Sequence, residues 1–335
     1  MKPTIYDVAE KAGVSIATVS KVINNTGKIS DKTKQKVLKI MEEINYQPSV
    51  VASALTGKQT NTIGFLIPDI ANPFHAEMAR SVEDRGHELG FSVVMCNTDG
   101  NLDKEAQYLE WLQRKRVDGI ILGSAAQNNA IIKELIKQEI PAALIATDMP
   151  SLSVNAVLVD DFLGGYQAIS HLTSLGHTDI AFLAGNLNNV MEKERLRGYK
   201  QALQEAGAAF DRKNLLTNNF SFDDAKRSMK KLIESGRRPT AVFAFNDLLA
   251  IGAIHGAKEA GLKIPDDLSV IGFDNTLLAA VNDPPLTTIA QPIQDMGRTV
   301  TDLLVKEIKG GNTVKQRVVL LPELVVRQTT IPPKI

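Results

Sequence analysis

Short apolar runs alternate with amphipathic segments along most of the chain, and this alternation restricts the fold more than any other feature. From Thr62 the apolar runs read TIGFLIP, FSVVMC, VDGIIL and PAALIA. The segments between them, such as 74–89 and 103–115, have apolar residues at helical spacing. Strands that alternate with helices form parallel sheets, because each helix carries the chain back across the sheet. The pattern therefore predicts a doubly wound parallel-sheet α/β domain.

The same alternation starts again after the run NAVLVDD. Predicted helices at 162–175, 191–206 and 247–260 separate the strand-like runs DIAFLAG, TAVFAFN and LSVIGFD. Two such repeats predict two similar subdomains. Ligands of these sheets bind beyond the carboxyl ends of the strands, so two facing subdomains form one interdomain cleft.

Polar and aromatic side chains follow several of these strands. Those predicted to bind a ligand are Asp69, Asn72, Phe74, Ser124, Arg195, Phe220, Asn246, Asp274 and Gln291. Planar polar groups and one or two aromatic rings suit a sugar or a small polar ring. Structural roles are the alternative: Asp274 ends a strand, Asn246 caps a helix, and Phe220 belongs to the core.

The first 60 residues differ in charge from the rest. They contain nine lysines and five acidic residues, a net charge of +4, while the whole chain is neutral. A basic head on a slightly acidic body is typical of a polyanion-binding module. A solvated lysine-rich surface is the alternative interpretation.

Three short helices are predicted in this head. Thr4 and Asp7 give the first a capping-box start, and Gly13 ends it. Ser15 caps the second, and the third follows Ser30. Two short helices joined by a glycine-containing turn are the helix-turn-helix pattern, in which the second helix enters the major groove of DNA. Its exposed side carries Ile16, Ala17, Thr18, Ser20, Lys21 and Asn24.

The stretch QPSVVASALTGK, residues 47–58, has the pattern of a small helix. Pro48 starts it, Gly57 ends it, and Val51, Ala52 and Leu55 share one face. Isolated helices below about 12–15 residues are marginal in water, so this segment needs a partner to fold. A flexible tether is the alternative.

The run TIYDVAEKAGVSIATVSKVIN, continued by YQP, VA, AL and GK, closely resembles the head of the LacI/GalR family of bacterial transcriptional regulators. The rest of the chain resembles the periplasmic-binding-protein-like core of that family. The resemblance implies a homodimer on a pseudo-palindromic operator of double-stranded DNA, with paired hinge helices in the minor groove and Leu55 wedged between base pairs. The predicted DNA contacts are Tyr6, Ser15, Ile16, Ala17, Thr18, Ser20, Lys21, Asn24, Lys28, Thr33, Ala52, Ser53, Leu55 and Lys58.

The resemblance also implies a small-molecule effector in the cleft, a sugar or a sugar derivative. Many sugar-responsive members have an aspartate directly after the strand that corresponds to AALIA; here Thr147 comes first and Asp148 second. We expect the effector to change the angle between the subdomains and hence the spacing of the two hinge segments, which sets operator affinity. The expected function is a transcriptional regulator, with repression as the leading mode. A phosphorylated carrier protein, the co-regulator of some relatives, is the alternative input.

The predicted organisation has a head at 1–47, a hinge helix and linker at 48–60, and a core at 61–335. Within the core, the N-subdomain takes 61–160 and 292–321, and the C-subdomain takes 161–291 and 322–335. The resemblance implies the two later crossings, near Gln291 and near Pro322. No leucine-heptad tail follows before Ile335, so we expect a dimer and not a tetramer.

The chain lacks the sequence features that are characteristic of several other classes of protein. The single Cys96 allows no internal disulfide, and no apolar run serves as a signal peptide or a membrane span. We therefore expect a cytoplasmic protein, not a solute-binding protein for transport. The five histidines lack metal-ligand spacing, and no cofactor fingerprint or nucleophile–base pair stands out. We expect no metal, no cofactor and no enzymatic activity.

Overall fold

A computed structural model of the chain describes residues 3–23, 26–46, 59–123, 129–185, 187, 189–217, 219–311 and 314–334. The chain divides into two compact units, Met1–Thr60 and Asn61–Ile335. The predicted hinge stretch 47–58 lies outside the described residues, and so do these predicted contacts: Asn24, Ala52, Ser53, Leu55, Lys58 and Ser124.

The first unit is helical in its described part. Its helices are α1 (Ile5–Ala12), α2 (Ile16–Ile23) and α3 (Asp31–Glu43). They share one small core made of Val8, Ala9, Ala12, Val19, Val22, Val37 and Ile40. Each helix is too short to be stable alone in water, so this common core holds the three together.

The predicted helix caps are present in this unit. The Asp7 carboxylate accepts hydrogen bonds from the Thr4 amide at 2.6 Å and from the Thr4 hydroxyl at 2.7 Å. Gly13 ends α1 with a φ of 62°, which a residue without a Cβ adopts easily. Before α2 and α3, Ser15 and Ser30 accept backbone N–H groups of the first turn. The helix boundaries therefore follow from local side-chain chemistry.

The second unit alternates strands with helices. Its strands are β1 (Thr62–Ile67), β2 (Ser92–Asn97), β3 (Gly119–Leu122), β4 (Ala142–Ile145), β5 (Asn155–Val159), β6 (Ile180–Ala184), β7 (Leu215–Thr217), β8 (Ala241–Ala244), β9 (Ser269–Asp274), β10 (Thr287–Ala290), β11 (Arg317–Leu320) and β12 (Glu323–Val325). Its helices are α4 (Pro73–Glu88), α5 (Leu102–Arg114), α6 (Asn129–Lys137), α7 (Asp161–Ser174), α8 (Val190–Glu205), α9 (Phe222–Glu234), α10 (Asp247–Glu259), α11 (Leu277–Val281) and α12 (Ile293–Ile308).

These strands form two sheets of the same design. The first has the order β11-β5-β4-β3-β1-β2, and the second has the order β12-β10-β9-β8-β6-β7. All pairings are parallel except that of β10 with β12. The predicted α/β fold with two sheets is thus confirmed, with one antiparallel edge strand that the sequence did not predict.

Helices cover both faces of each sheet, so the interior strands are buried on both sides. Strands β3, β4, β6 and β8 are buried at every position, as in central strands of parallel sheets. The edge strands β2, β7, β11 and β12 are partly exposed. The chain passes between the sheets three times, after β5, after β10 and after β11. No helix in the described part of the chain is long and apolar enough to cross a membrane.

Candidate functional site

Four predicted ligand residues lie at the carboxyl edge of the second sheet. Asn246 follows β8, Asp274 ends β9 and Gln291 follows β10, while Arg195 lies in the second turn of α8. All four are almost fully buried. The carboxyl ends of parallel strands meet at one edge, which is why residues so distant in sequence come together.

Arg195 is held by an ion pair, a hydrogen bond and two aromatic rings. Its Nε donates to Oδ1 of Asp161 at 2.8 Å, and its Nη1 donates to the carbonyl oxygen of Phe245. Its guanidinium carbon lies 3.4 Å from the ring centroid of Phe273 and 4.2 Å from that of Phe245. Burial raises the pKa of the Asp161 carboxyl, and the charge of Arg195 limits that rise. Arg195 thus fixes the first residue of α7 against the end of β8.

Two glycines let α7 and α8 cross closely enough for this ion pair. A Cβ on Gly165 would lie 2.3 Å from the carbonyl oxygen of Arg195, and a Cβ on Gly198 would lie 2.2 Å from that of Phe162. Backbone atoms cannot yield that much without moving the helices apart, so only glycine fits at the crossing. The close approach brings Asp161 within reach of the guanidinium.

Two buried aspartates lie beside this pair. Asp247 accepts hydrogen bonds from the amide of Thr276 at 2.7 Å and from the hydroxyl of Thr288 at 2.6 Å. Burial raises the pKa of Asp247 to about 6. Burial and the charge of Asp247 raise the pKa of Asp274 well above its usual range. Gln291 donates to Asp274 at 2.7 Å, and its buried Oε1 has no hydrogen-bond partner in the described part of the chain.

Asn246 and Phe220 have structural contacts of their own. The Asn246 side chain accepts the Leu249 amide at 2.9 Å and caps α10. The Phe220 ring packs edge-on against that of Phe245, with 5.3 Å between the centroids, and lies directly over Gly185. The structural alternatives for both residues are therefore realised, and their role in ligand binding stays a prediction.

The predicted residues of the first sheet lie around the start of α4. Asn72 caps this helix by accepting the Phe74 amide, and the Phe74 ring is buried in the core. Asp69 is exposed, and its carbonyl oxygen accepts from His75 Nδ1 at 3.0 Å. As with Asn246 and Phe220, these contacts are structural and leave the binding role a prediction.

His75 makes the stability of the core depend on pH. Burial lowers its pKa to about 4, against 6.5 for a solvated histidine. Below pH 6.5 the unfolded chain binds a proton that the folded chain does not, so stability falls as the pH drops from 6.5 towards 4, by about 3 kcal/mol in all. We expect His75→Gln to lose less stability than the parent protein over this range when melting temperature is measured at each pH.

The matched control for this prediction is His87→Gln, on the exposed side of the same helix. Its melting temperature should follow that of the parent at every pH. The prediction fails if His75→Gln and the parent lose stability in parallel.

A cavity of about 400 Å³ opens between the two sheets, on the carboxyl side. Its described lining comes from the ends of β4 and β5, from the edge strand β11, and from the first turns of α7 and α8. A volume of this size is within the range of small-molecule sites. The described residues contain no group of three or more His, Cys, Asp or Glu side chains placed to hold a metal ion.

The described residues that line the cavity are not the predicted set. They include Thr147, Asp148, Asp160, Asp161, Asn189, Glu194 and Arg317. Arg195 is not among them, although its partner Asp161 is. The run NAVLVDD carries the signal that would have found Asp160 and Asp161, because both follow a strand directly. Glu194 and Arg317 reach the cavity only through the tertiary fold.

The head presents most of its predicted DNA contacts to solvent. Tyr6 and Ile16 are exposed although both are apolar in character, and Ser15, Ala17, Lys21 and Lys28 are exposed as well. Thr18, Ser20 and Thr33 are half-buried. The hydroxyls of Ser15 and Thr18 lie 2.9 Å apart, as do those of Ser30 and Thr33. These side chains are therefore accessible to a partner, and their contact with DNA stays a prediction.

A helix-turn-helix head followed by a two-sheet core with an inter-sheet cavity is typical of a DNA-binding transcriptional regulator. Two family models match the chain: "Bacterial regulatory proteins, lacI family" over residues 4–49, and "Periplasmic binding protein-like domain" over residues 169–330. The chain belongs to the LacI family of transcriptional regulators.

Individual relatives match along the whole chain. The HTH-type transcriptional regulator DegA of Bacillus subtilis (strain 168) is 49% identical over 335 residues, which cover 99% of each protein. A crystal structure of the Lac repressor dimer bound to operator and the anti-inducer ONPF matches with a TM-score of 0.87 and 32% identity, covering 99% of this chain and 100% of that one. A complex of the transcriptional regulator CelR with cellobiose matches with a TM-score of 0.76 and 30% identity, covering 98% of this chain and 100% of that one.

Proposed function

We propose that this regulator is a cytoplasmic homodimer that represses transcription from a pseudo-palindromic operator, and that a small polar effector in the inter-sheet cavity sets its operator affinity. The observation that carries the proposal is that both halves of the core contribute residues to the cavity wall. One side comes from strand ends of the first sheet, and the other comes from the first turns of helices that pack on the second. A ligand that fills the cavity therefore touches both halves and favours one angle between them.

The effector we propose is a sugar or a sugar derivative. The cavity combines carboxylates with apolar side chains such as Met191 and Val319. Carboxylates accept hydroxyl hydrogens, and apolar surfaces cover the C–H faces of a sugar ring. The complex of the relative CelR with cellobiose supports this class of ligand. The predicted set from Asp69 to Gln291 stays part of the proposed site, with Asp148, Asp161 and Glu194 added.

The proposed route to DNA runs through the segment 48–58. Its sequence suits a helix that is unstable alone and folds when two copies pair over a bent duplex. Tyr6, the exposed side of α2, Lys28 and Thr33 are the proposed contacts of the head, and Ala52, Ser53, Leu55 and Lys58 those of the hinge. The Lac repressor dimer on its operator supports the assembly.

The proposed effector site is tested with a substitution that fills the cavity. Val319 is exposed on the edge strand β11 and lines the cavity, so Val319→Trp places an indole where the ligand would lie. We expect operator affinity without effector to be unchanged. The effector concentration for half-maximal response should rise by at least about tenfold, since one lost contact of 1.4 kcal/mol already has that effect. Fluorescence anisotropy of a labelled operator measures both quantities.

Val326→Trp is the matched control, because Val326 is similarly exposed but lies outside the described lining. It should respond like the parent protein. An effector response that survives unchanged in Val319→Trp would place the effector elsewhere. If only a phosphorylated carrier protein changes operator affinity, and Val319→Trp leaves that change intact, the alternative input is correct.

A further inference from the structure

The charged side chains that line the cavity are mostly acidic. Among the described residues, the lining has four carboxylates, Asp148, Asp160, Asp161 and Glu194, and one guanidinium, Arg317. These side chains sum to −3, and the two arginines that pair with Asp161 and Glu194 from outside the described lining, Arg195 and Arg197, bring the sum to −1. A cavity with low-dielectric walls and charges of one sign concentrates ligands of the opposite sign and repels those of the same sign.

The cation in the lining is already matched. Arg317 forms a bidentate pair with Asp148, both of whose carboxylate oxygens accept from the guanidinium. An anion that approached Arg317 would also lie beside Asp148. The pair is neutral as a unit, so it offers an anionic ligand little net attraction.

Two of the other carboxylates in the lining pair with arginines that lie outside it. Asp161 pairs with Arg195 at 2.8 Å, and Glu194 pairs with Arg197 at 2.8 Å. Neither of these two arginines is among the described lining residues. A ligand in the cavity therefore meets the carboxylate oxygens, which keep lone pairs for further donors.

Two helix starts point towards the cavity, and both are capped. The N-terminus of a helix attracts anions through its unpaired N–H groups and its dipole. At α7, Asp160 accepts the Leu163 amide at 2.9 Å and also places a negative charge at the helix end. At α8, Asn189 accepts the Glu192 amide at 2.7 Å. The caps leave these helix ends with less attraction for an anion than open ends have.

We propose that this cavity selects an effector rich in hydroxyl or amino donors and without negative charge, such as a neutral sugar or an amino sugar, over phosphorylated and carboxylated sugars. This inference rests on the proposed function, because it names the ligand class of the same cavity. Acceptor oxygens on the walls pair with donors on the ligand, whereas a phosphate or carboxylate brings further acceptors and like charge.

The sign of the cavity potential is tested without knowledge of the effector. Thr147→Cys places a thiol in the lining. A methanethiosulfonate reagent converts this thiolate to a mixed disulfide and releases methanesulfinate. The native Cys96 gives little background, because it is buried and burial raises its pKa to about 11. The rates with a trimethylammonium reagent and with a sulfonate reagent are compared in the full-length protein.

We expect the ratio of the cationic to the anionic reaction rate to be about tenfold or more above the same ratio for a small free thiol. High salt should reduce this preference, because the screening length falls to about 3 Å at 1 M. Adding Glu194→Gln should lower the ratio, whereas Glu234→Gln, an exposed residue at the end of α9 outside the described lining, should leave it unchanged. A ratio equal to that of the free thiol, or inverted, overturns the proposal.

A ligand panel provides the second readout. Each hexose is tested with its 2-amino, 6-phosphate and uronate forms by thermal shift and by operator anisotropy. We expect the phosphate and the uronate to bind at least about tenfold more weakly than the parent or amino form. A phosphate or uronate that binds more tightly than its parent overturns the inference. If no member of the panel binds, the effector is not one of these sugars. The ratio of the two reagents' reaction rates still decides the charge selectivity.

Discussion

Arg195→Ala should lower the stability of the core by about 3–5 kcal/mol, because it removes one partner of a buried ion pair and leaves the other charge unmatched. Asp161 would lose its counter-ion, the Phe245 carbonyl would lose a donor, and two aromatic rings would face an empty space. Differential scanning calorimetry should record a melting temperature roughly 5–10 °C lower.

Arg197→Ala is the matched control, because it removes the same side chain two residues further along α8. Arg197 is mostly exposed and pairs with Glu194 on the surface, and pairs of this kind contribute about 0–1 kcal/mol. Its melting temperature should stay within a degree or two of the parent. Equal effects of the two substitutions would show that the buried pair has no special importance for stability.

This result would give Arg195 a structural role beside the one that the sequence suggested. Its sequence position and the family resemblance indicate a ligand contact, whereas in the structure the side chain is buried and its carboxylate partner lines the cavity. Arg195 thus positions Asp161, and its contact with a ligand stays a prediction. A loss of effector response in Arg195→Ala therefore has to be corrected for the fraction of unfolded protein before it is attributed to binding.

Leu55→Ala should lower the affinity for the specific operator by about 10- to 100-fold and leave non-specific DNA binding nearly unchanged. Inserting an apolar side chain between base pairs costs a few kcal/mol of unstacking, offset by contacts that only a bent duplex allows. Alanine is too short to hold the kink open, while the basic residues that bind phosphates remain. Titrations of operator and random duplexes at one salt concentration measure both affinities.

Thr56→Ala is the control for this prediction, since Thr56 neighbours Leu55 but is not one of the predicted DNA contacts. It should reduce the two affinities little and in equal proportion. If Leu55→Ala reduces specific and non-specific binding by the same factor, the side chain does not act as a wedge.

The parts of the fold that local chemistry determines were predictable. Capping by Thr4 with Asp7, by Ser15 and by Ser30 sets the starts of the three head helices, and each cap lies within three residues of its partner. Apolar runs buried on both faces indicated the central parallel strands. Four of the five predicted core helices were displaced by one residue, and the fifth, 247–260, ended one residue late, because helix ends are defined only to within one or two residues.

Features that depend on distant partners were missed. β7 has three residues and lies at a sheet edge, so its sequence shows no strand pattern. The antiparallel pairing of β12 joins residues more than 30 positions apart, and nothing in ELV reveals its direction. The same holds for the cavity, where the Arg317 pair with Asp148 spans 169 positions. Such contacts follow from the topology and not from local sequence pattern.

The three passages of the chain between the sheets restrict how the core can move. Two bodies joined by a single connection can rotate and translate in several directions, whereas three neighbouring connections leave mainly one hinge rotation. The first passage, after β5, also carries Asp160 and Asp161 into the cavity wall. A molecule bound beside these connections therefore lies close to the hinge axis. A small difference in the size of that molecule becomes a larger displacement at the parts of the two subdomains farthest from the axis.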